Sequence, residues 1–125
     1  MHLDAVDLKA FYASPLGQVA RRLLGARLKS RLGNLKNARV FGLGFATPYL
    51  GAIRSEADVL GALMPAEQGV IQWPDGNANE TVLVEEGELP LRDDSADCIL
   101  LVHMLEWSGN ARELLRELWR VLAPN

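Results

Sequence analysis

The sequence predicts an α/β domain organised on a parallel sheet, and three features predict it. Short apolar runs alternate with helical patterns along most of the chain. Those runs are apolar along nearly their whole length, as strands covered by helices on both faces must be. The first of them, Arg39-Val-Phe-Gly-Leu-Gly, ends in a glycine turn, the place where such a sheet lets a ligand approach its backbone.

The elements follow in order. A short helix over residues 6–12 comes first. Ser14 then caps a longer pattern over 14–32, with Pro15 at the first helical position, where a missing N–H costs nothing. Leu16, Val19, Ala20, Leu23 and Leu24 share one face, and Arg21 and Arg22 lie on the other. Past Gly25 the apolar positions Leu28 and Leu32 are rotated away from that face. The pattern therefore predicts two helices, or one bent at Gly25, stopped by Gly33 and Asn34.

A strand starting at Arg39 runs into the glycine turn, and residues 48–54 form a short helix. Residues 58–64 read as a second strand stopped by Pro65, and Trp73-Pro-Asp-Gly-Asn is a turn cluster. Residues 81–85 are a third strand and 97–103 a fourth. The last element is a helix over 111–122, with Leu114, Leu115, Leu118, Val121 and Leu122 on one face. The chain divides into a basic helical segment, 1–37, and a core, 38–125, within a single domain.

Composition limits the function classes. Of 125 residues, 49% are apolar and 23% charged, which argues for a folded core and against disorder. No apolar run reaches the roughly 18 residues that span a bilayer, and the start lacks the basic stretch and apolar block of a secretory signal. One cysteine excludes an internal disulfide and a multi-cysteine zinc cluster, and two histidines leave little for a metal. The expected compartment is the cytoplasm. Residues 1–39 carry a balance of +6 and the remainder −9. That basic end reads as a solvated helix face or as a polyanion-facing surface built on Arg21, Arg22, Arg27, Lys29 and Arg31. The acidic whole argues against nucleic acid as a partner.

The chemistry concentrates at the strand ends. Gly42-Leu-Gly-Phe-Ala-Thr-Pro48 is a glycine turn without a dinucleotide G-x-G-x-x-G. Further along, Glu88-Leu-Pro-Leu-Arg-Asp-Asp-Ser-Ala-Asp-Cys-Ile-Leu-Leu-Val-His-Met-Leu-Glu106 precedes Leu114-Leu-Arg-Glu-Leu-Trp-Arg-Val-Leu-Ala-Pro124. This arrangement resembles the middle of class I S-adenosylmethionine-dependent methyltransferases of the type 11 kind. The matching residues are Leu89, Pro90, Asp93 or Asp94, Ser95, Asp97, His103, Leu105 and Glu106, then Leu114, Leu115, Glu117, Arg120, Val121, Leu122 and Pro124.

The resemblance covers residues 39–125 and implies a Rossmann-like fold with a partial parallel sheet in the order 3-2-1-4 and helices on both faces. It implies S-adenosylmethionine as cofactor and methyl transfer to an acceptor by in-line displacement. By position it assigns Gly42, Gly44, Ala46 and Thr47 to the cofactor turn. It places Leu63 where the family has its ribose-binding acid, and Glu85 and Glu86 beside the adenine. His103 falls at the end of the fourth strand, either as a general base or as a residue that holds others in place.

This chain departs from the family pattern V-L-D-x-G-x-G-x-G. Gly42 stands in place of an acid, and Ala46 and Pro48 in place of glycines. Without a carboxylate the ribose loses charge-assisted hydrogen bonds of roughly 1.5–3 kcal/mol. The alternative function is therefore a non-catalytic, methyltransferase-like module that binds a partner. The resemblance further implies a chain truncated after the fourth strand and its helix. The open edge of 97–103 then pairs with a second copy in a dimer, or is covered by a continuation.

Remaining residues have plain readings. Cys98 is a buried structural thiol, and Trp73, Trp107 and Trp119 are packing residues. Glu106 organises the loop before the last helix, while Phe11 and Tyr12 are placed to cover a bound cofactor.

Overall fold

The structure is a computed structural model that describes residues 5–53, 57, 59–65, 81–85, 87–105 and 108–124. Glu86, Glu106, Trp107 and the turn cluster at Trp73 lie outside the described residues.

Helix α1 (Ala5–Ala13) turns sharply into α2 (Pro15–Leu32). Ser14 makes the corner, accepting a hydrogen bond from Gly17 N at 3.2 Å and donating one to the Phe11 carbonyl. Gly17 is required because the helices meet there: a Cβ would collide with the Phe11 carbonyl oxygen and lie 2.7 Å from Tyr12 Cα. Of the two expected forms, α2 is a single helix through Gly25 and not two. Its second half is anchored by Leu28 and Leu32, which pack beneath the sheet. The stripe that looked core-facing is instead exposed, with Leu16 at 70% and Leu23 at 65%.

Four parallel strands follow: β1 (Arg39–Gly44), β2 (Val59–Pro65), β3 (Thr81–Val84) and β4 (Cys98–Val102). Among the described residues they form one sheet in the order β3-β2-β1-β4, the predicted topology. Register pairs Val40 with Leu60 on one side and Cys98 on the other. Pro65 is the last residue of β2 and sits opposite Val84. Glu85 leaves the ladder to form an isolated bridge with Glu88.

Alternation along the strands builds two cores. Leu43, Leu63 and Val84 face one side with Phe41, Ile99 and Leu101, where they meet Leu114, Leu118 and Val121 of α4 (Ala111–Val121). Val40, Ala62 and Leu100 face the other side, under α2 and the short helix α3 (Thr47–Leu50) with its following 3-10 turn (Gly51–Ile53). Burial on both faces is why β1 and β4 lack polar residues at alternate positions, whereas Val82 and Leu83 of β3 are exposed.

Asn110 caps α4 by accepting from Glu113 N at 3.1 Å. Of the expected apolar face, Leu114, Leu118 and Val121 are inside, while Leu115 and Leu122 are exposed. Trp119 is not a packing residue: it is 83% exposed, one residue past the helix stripe that Leu118 fills. Among the described residues no helix is long and apolar enough to cross a membrane.

Candidate functional site

In a sheet of this order the chain travels outward from β1 to β3, then crosses back to β4. The crevice at the carboxyl ends of β1 and β4 is the switch point where such folds bind ligands. Gly44 ends β1 with φ +95°, and a Cβ on it would strike the Val102 carbonyl oxygen and lie 2.9 Å from Met104 Cβ. Only glycine lets β1 turn this close to β4. The next residue, Phe45, closes the junction by donating its N–H to the Val102 carbonyl at 2.8 Å.

His103 follows β4 at once, with φ +52°. A left-handed histidine is strained, and such strain gathers at functional sites. Its Nε2 lies 2.9 Å from the Tyr12 hydroxyl, which lies 2.9 Å from the Tyr49 hydroxyl. The Tyr12 ring stacks on Phe45 at 6.1 Å and meets Tyr49 and His103 edge-on at 5.8 Å. Helix α1 thus lies across the crevice, held by Ala5, Leu8 and Tyr12 packed on Phe45 and Tyr49. Burial, and then the hydrogen bond to Tyr49, push the Tyr12 hydroxyl far above the ordinary phenol range, so it stays neutral. Phe11 touches the Tyr12 ring from outside at 5.1 Å and is itself exposed.

Phe45 and Tyr49 were missed by sequence reasoning. The available signal was their place, Phe45 directly after the glycine that ends β1 and Tyr49 in the short helix that follows.

The remaining candidates separate into edge and core. Gly44, Glu85 and His103 stand at the carboxyl ends of β1, β3 and β4. Gly42 does not border the crevice: a Cβ there would lie 2.6 Å from Ala46 Cβ and 2.8 Å from Leu50 Cδ1. That glycine and Ala46 let α3 settle on β1, and Thr47 is buried beside them. Leu63 is a correction too, since its side chain belongs to the core opposite Leu43 and not to the edge. No carboxylate stands at the end of β2 among the described residues, where Met64 and Pro65 close the strand.

Of the groups an adenosyl cofactor would call on, the described residues offer a glycine turn at the end of β1 and an acid at the end of β3, and no carboxylate at the end of β2. The turn fits because Gly44 holds the one backbone conformation that brings main chain to the crevice without a side chain in the way.

The motif residues of the second half have a structural task. Glu117 accepts the Leu89 N–H at 2.8 Å and also holds Arg120, whose Nη1 and Nη2 donate to the Leu91 and Leu89 carbonyls at 2.9 and 3.1 Å. Asp93 accepts from Arg120 at 2.8 Å. The two residues clamp the Leu-Pro loop after β3 onto α4, and Arg120 holds the Glu117 carboxyl below its usual range. Cys98 is half-buried, and burial pushes its thiol up, away from the reactive thiolate. Among the described residues no group of side chains has the makings of a metal site.

Fold and site together define a doubly wound α/β protein with its candidate site at the β1–β4 switch point. The chain belongs to the methyltransferase domain family, whose sequence pattern it matches over residues 40–125. Among the solved structures that this chain resembles are two with the same fold. A SAM-dependent methyltransferase from Aquifex aeolicus is 19% identical with a TM-score of 0.62, over 80% of this chain and 58% of its own. The methyltransferase described as putative in the Haloferax volcanii complex with the Trm112 methyltransferase activator is 21% identical. Its TM-score is 0.60, over 94% of this chain and 54% of its own. The chain thus spans somewhat more than half the length of each. No curated protein matches it.

Proposed function

We propose that the chain binds S-adenosylmethionine at the carboxyl ends of β1, β3 and β4 and serves methyl transfer by in-line displacement. One observation carries this reading: Gly44, Glu85 and His103 share the carboxyl edge of one sheet, and Tyr12 is laid across it. When bound, the cofactor supplies a methyl group on a positively charged sulfur, and catalysis rests on alignment with the acceptor.

The chain's own residues account for the rest. Gly44 would admit the cofactor by close backbone approach, and Glu85 would accept a hydrogen bond from the adenine. Tyr12, neutral and buried, keeps water out of the crevice. His103 holds Tyr12 and so positions α1; it acts through that tyrosine. The missing ribose carboxylate weakens affinity by roughly tenfold or more.

Calorimetric titration of S-adenosylmethionine and S-adenosylhomocysteine tests the proposal. Binding in the micromolar to submillimolar range is expected. No heat at millimolar ligand, with the chain folded by circular dichroism, would overturn it.

A second reading is a methyltransferase-like module that binds a partner without catalysis. It is favoured by the space at Gly42, filled by Ala46 and Leu50, and by Leu63 in the core. The Haloferax volcanii neighbour, in complex with an activator, offers a precedent for partner binding on this fold. Absence of cofactor binding would select this reading.

A further inference from the structure

Between α2 and α3 runs a groove of about 410 Å³ that shares only Tyr49 with the site above. Arg21, Arg22 and Lys29 line it from α2, and Pro48, Tyr49 and Gly51 line it from the other side. Helical spacing builds the cationic wall. Residues 22 and 29 are two turns apart on one flank of residue 25, and residue 21, one turn before residue 25, stands on the other flank.

Gly25 falls between these cations. A Cβ on Gly25 would meet nothing nearer than Tyr49 Cδ1 at 3.9 Å, and one on Gly51 would meet nothing within 4 Å. The two glycines therefore keep the groove open. Within α2, this also accounts for a helix-weakening residue in mid-helix.

Among the described residues no carboxylate lines the groove, and α2 carries five cations and no acid along its length. A concavity walled by like charges focuses potential on whatever enters it. One guanidinium is already oriented, since Arg21 Nη2 donates to Gln18 Oε1 at 3.1 Å. Arginine forks of this kind suit the oxygens of a phosphate.

We propose that this groove binds a soluble phosphate ester, its phosphate among Arg21, Arg22 and Lys29 and its organic part against the Tyr49 ring. A small ligand is favoured over a nucleic acid because the chain beyond residue 39 carries −9, which opposes a long polyanion leaving the groove. The occupant would also touch the hydrogen-bonded cluster from behind, through Tyr49 to Tyr12 and His103.

The test is titration of the 125-residue chain with inorganic phosphate and with ribose 5-phosphate, followed by backbone amide NMR. Sodium chloride at matched ionic strength is the control. Saturable shifts at Gly25, Lys29, Tyr49 and Gly51 are expected with both phosphates, and not with chloride. Arg22→Gln with Lys29→Gln should weaken binding by about tenfold or more. Gly25→Leu, which keeps every cation and fills the groove, should do the same. Arg27→Gln with Arg31→Gln, on the same helix outside this groove, should leave affinity unchanged. Equal weakening by the Arg27 and Arg31 pair, or equal shifts with chloride, would overturn the proposal. So would tighter binding of a single-stranded RNA that Gly25→Leu does not affect.

Discussion

The hydroxyl of Tyr12 lies 2.9 Å from Nε2 of His103, a residue ninety-one positions further along the chain. The bond joins α1 to the end of β4, and the Tyr12 ring stacks on Phe45, the residue that follows β1. His103 makes the bond from a left-handed backbone conformation, and Tyr12 is buried. The covering helix is thus fastened by a polar contact at its tip and by apolar packing along its length.

Tyr12→Phe isolates that fastening, because the ring stays and only the hydroxyl goes. The buried Tyr49 hydroxyl then loses its bond to Tyr12, a loss of about 1–3 kcal/mol. Urea unfolding should report that destabilisation, and hydrogen exchange should show reduced protection in α1. Unchanged stability and protection would mean that packing alone holds the helix.

Two glycines should respond with opposite sign. Gly44→Ala forces a side chain onto φ +95° and into the Val102 carbonyl, so destabilisation of at least about 2–3 kcal/mol is expected. Gly25→Ala places a methyl at ordinary distance from Tyr49 in a helix interior and should stabilise by about 0.5–1 kcal/mol. Denaturant midpoints with unchanged slopes provide the measurement.

Arg120→Lys keeps the charge and removes the fork that serves Leu89, Leu91, Asp93 and Glu117 together. Exchange at the amides of 89–93 should accelerate and the melting temperature should fall. Arg112→Lys, on the exposed side of the same helix, should leave both unchanged.

Asp97 sets an acid dependence. Its carboxyl accepts from Arg39 Nε and Nη2, both at 3.1 Å, and from Arg39 N at 2.8 Å; these bonds lower it from 3.8 to about 2. A carboxylate depressed in the folded state contributes stability that is complete above its unfolded value and lost as pH falls through the folded one. The stability gap between the native chain and Asp97→Asn should therefore be constant above about pH 4 and narrow from there towards about pH 2. A gap independent of pH in that window would show that the ion pair contributes nothing.

Strand β4 pairs only with β1 among the described strands, and its other edge is met by the chain after α4 at Ala96, just ahead of the strand. We propose that this edge recruits a second copy of the chain. Light scattering should show association that grows with concentration. A monodisperse monomer at high concentration would exclude this pairing.

The strands were legible because their message is local. A run such as Cys98-Ile-Leu-Leu-Val is apolar on both faces, and only a covered strand has use for that. The turn at Gly44 was legible for the same reason. Helix α2 was misread because periodicity reports which residues share a face, not which face meets the protein. Leu16, Val19, Leu23 and Leu24 do share one, yet the sheet takes Leu28 and Leu32, and α1 takes the space at Gly17. Trp119 fell to the same ambiguity by one position on α4.

By itself the sequence determined the order of the elements, the parallel sheet and the glycine at the end of β1, since backbone geometry and burial act over a few residues. Only the tertiary structure decided what each candidate does. Gly42 proved to be a seat for Ala46 and Leu50, Leu63 a core residue, and Glu117 with Arg120 a loop clamp. The cluster of Tyr12, Tyr49 and His103 was decided there as well. Its members come from α1, α3 and the end of β4, and no local pattern records that a sheet will bring their side chains within hydrogen-bond distance.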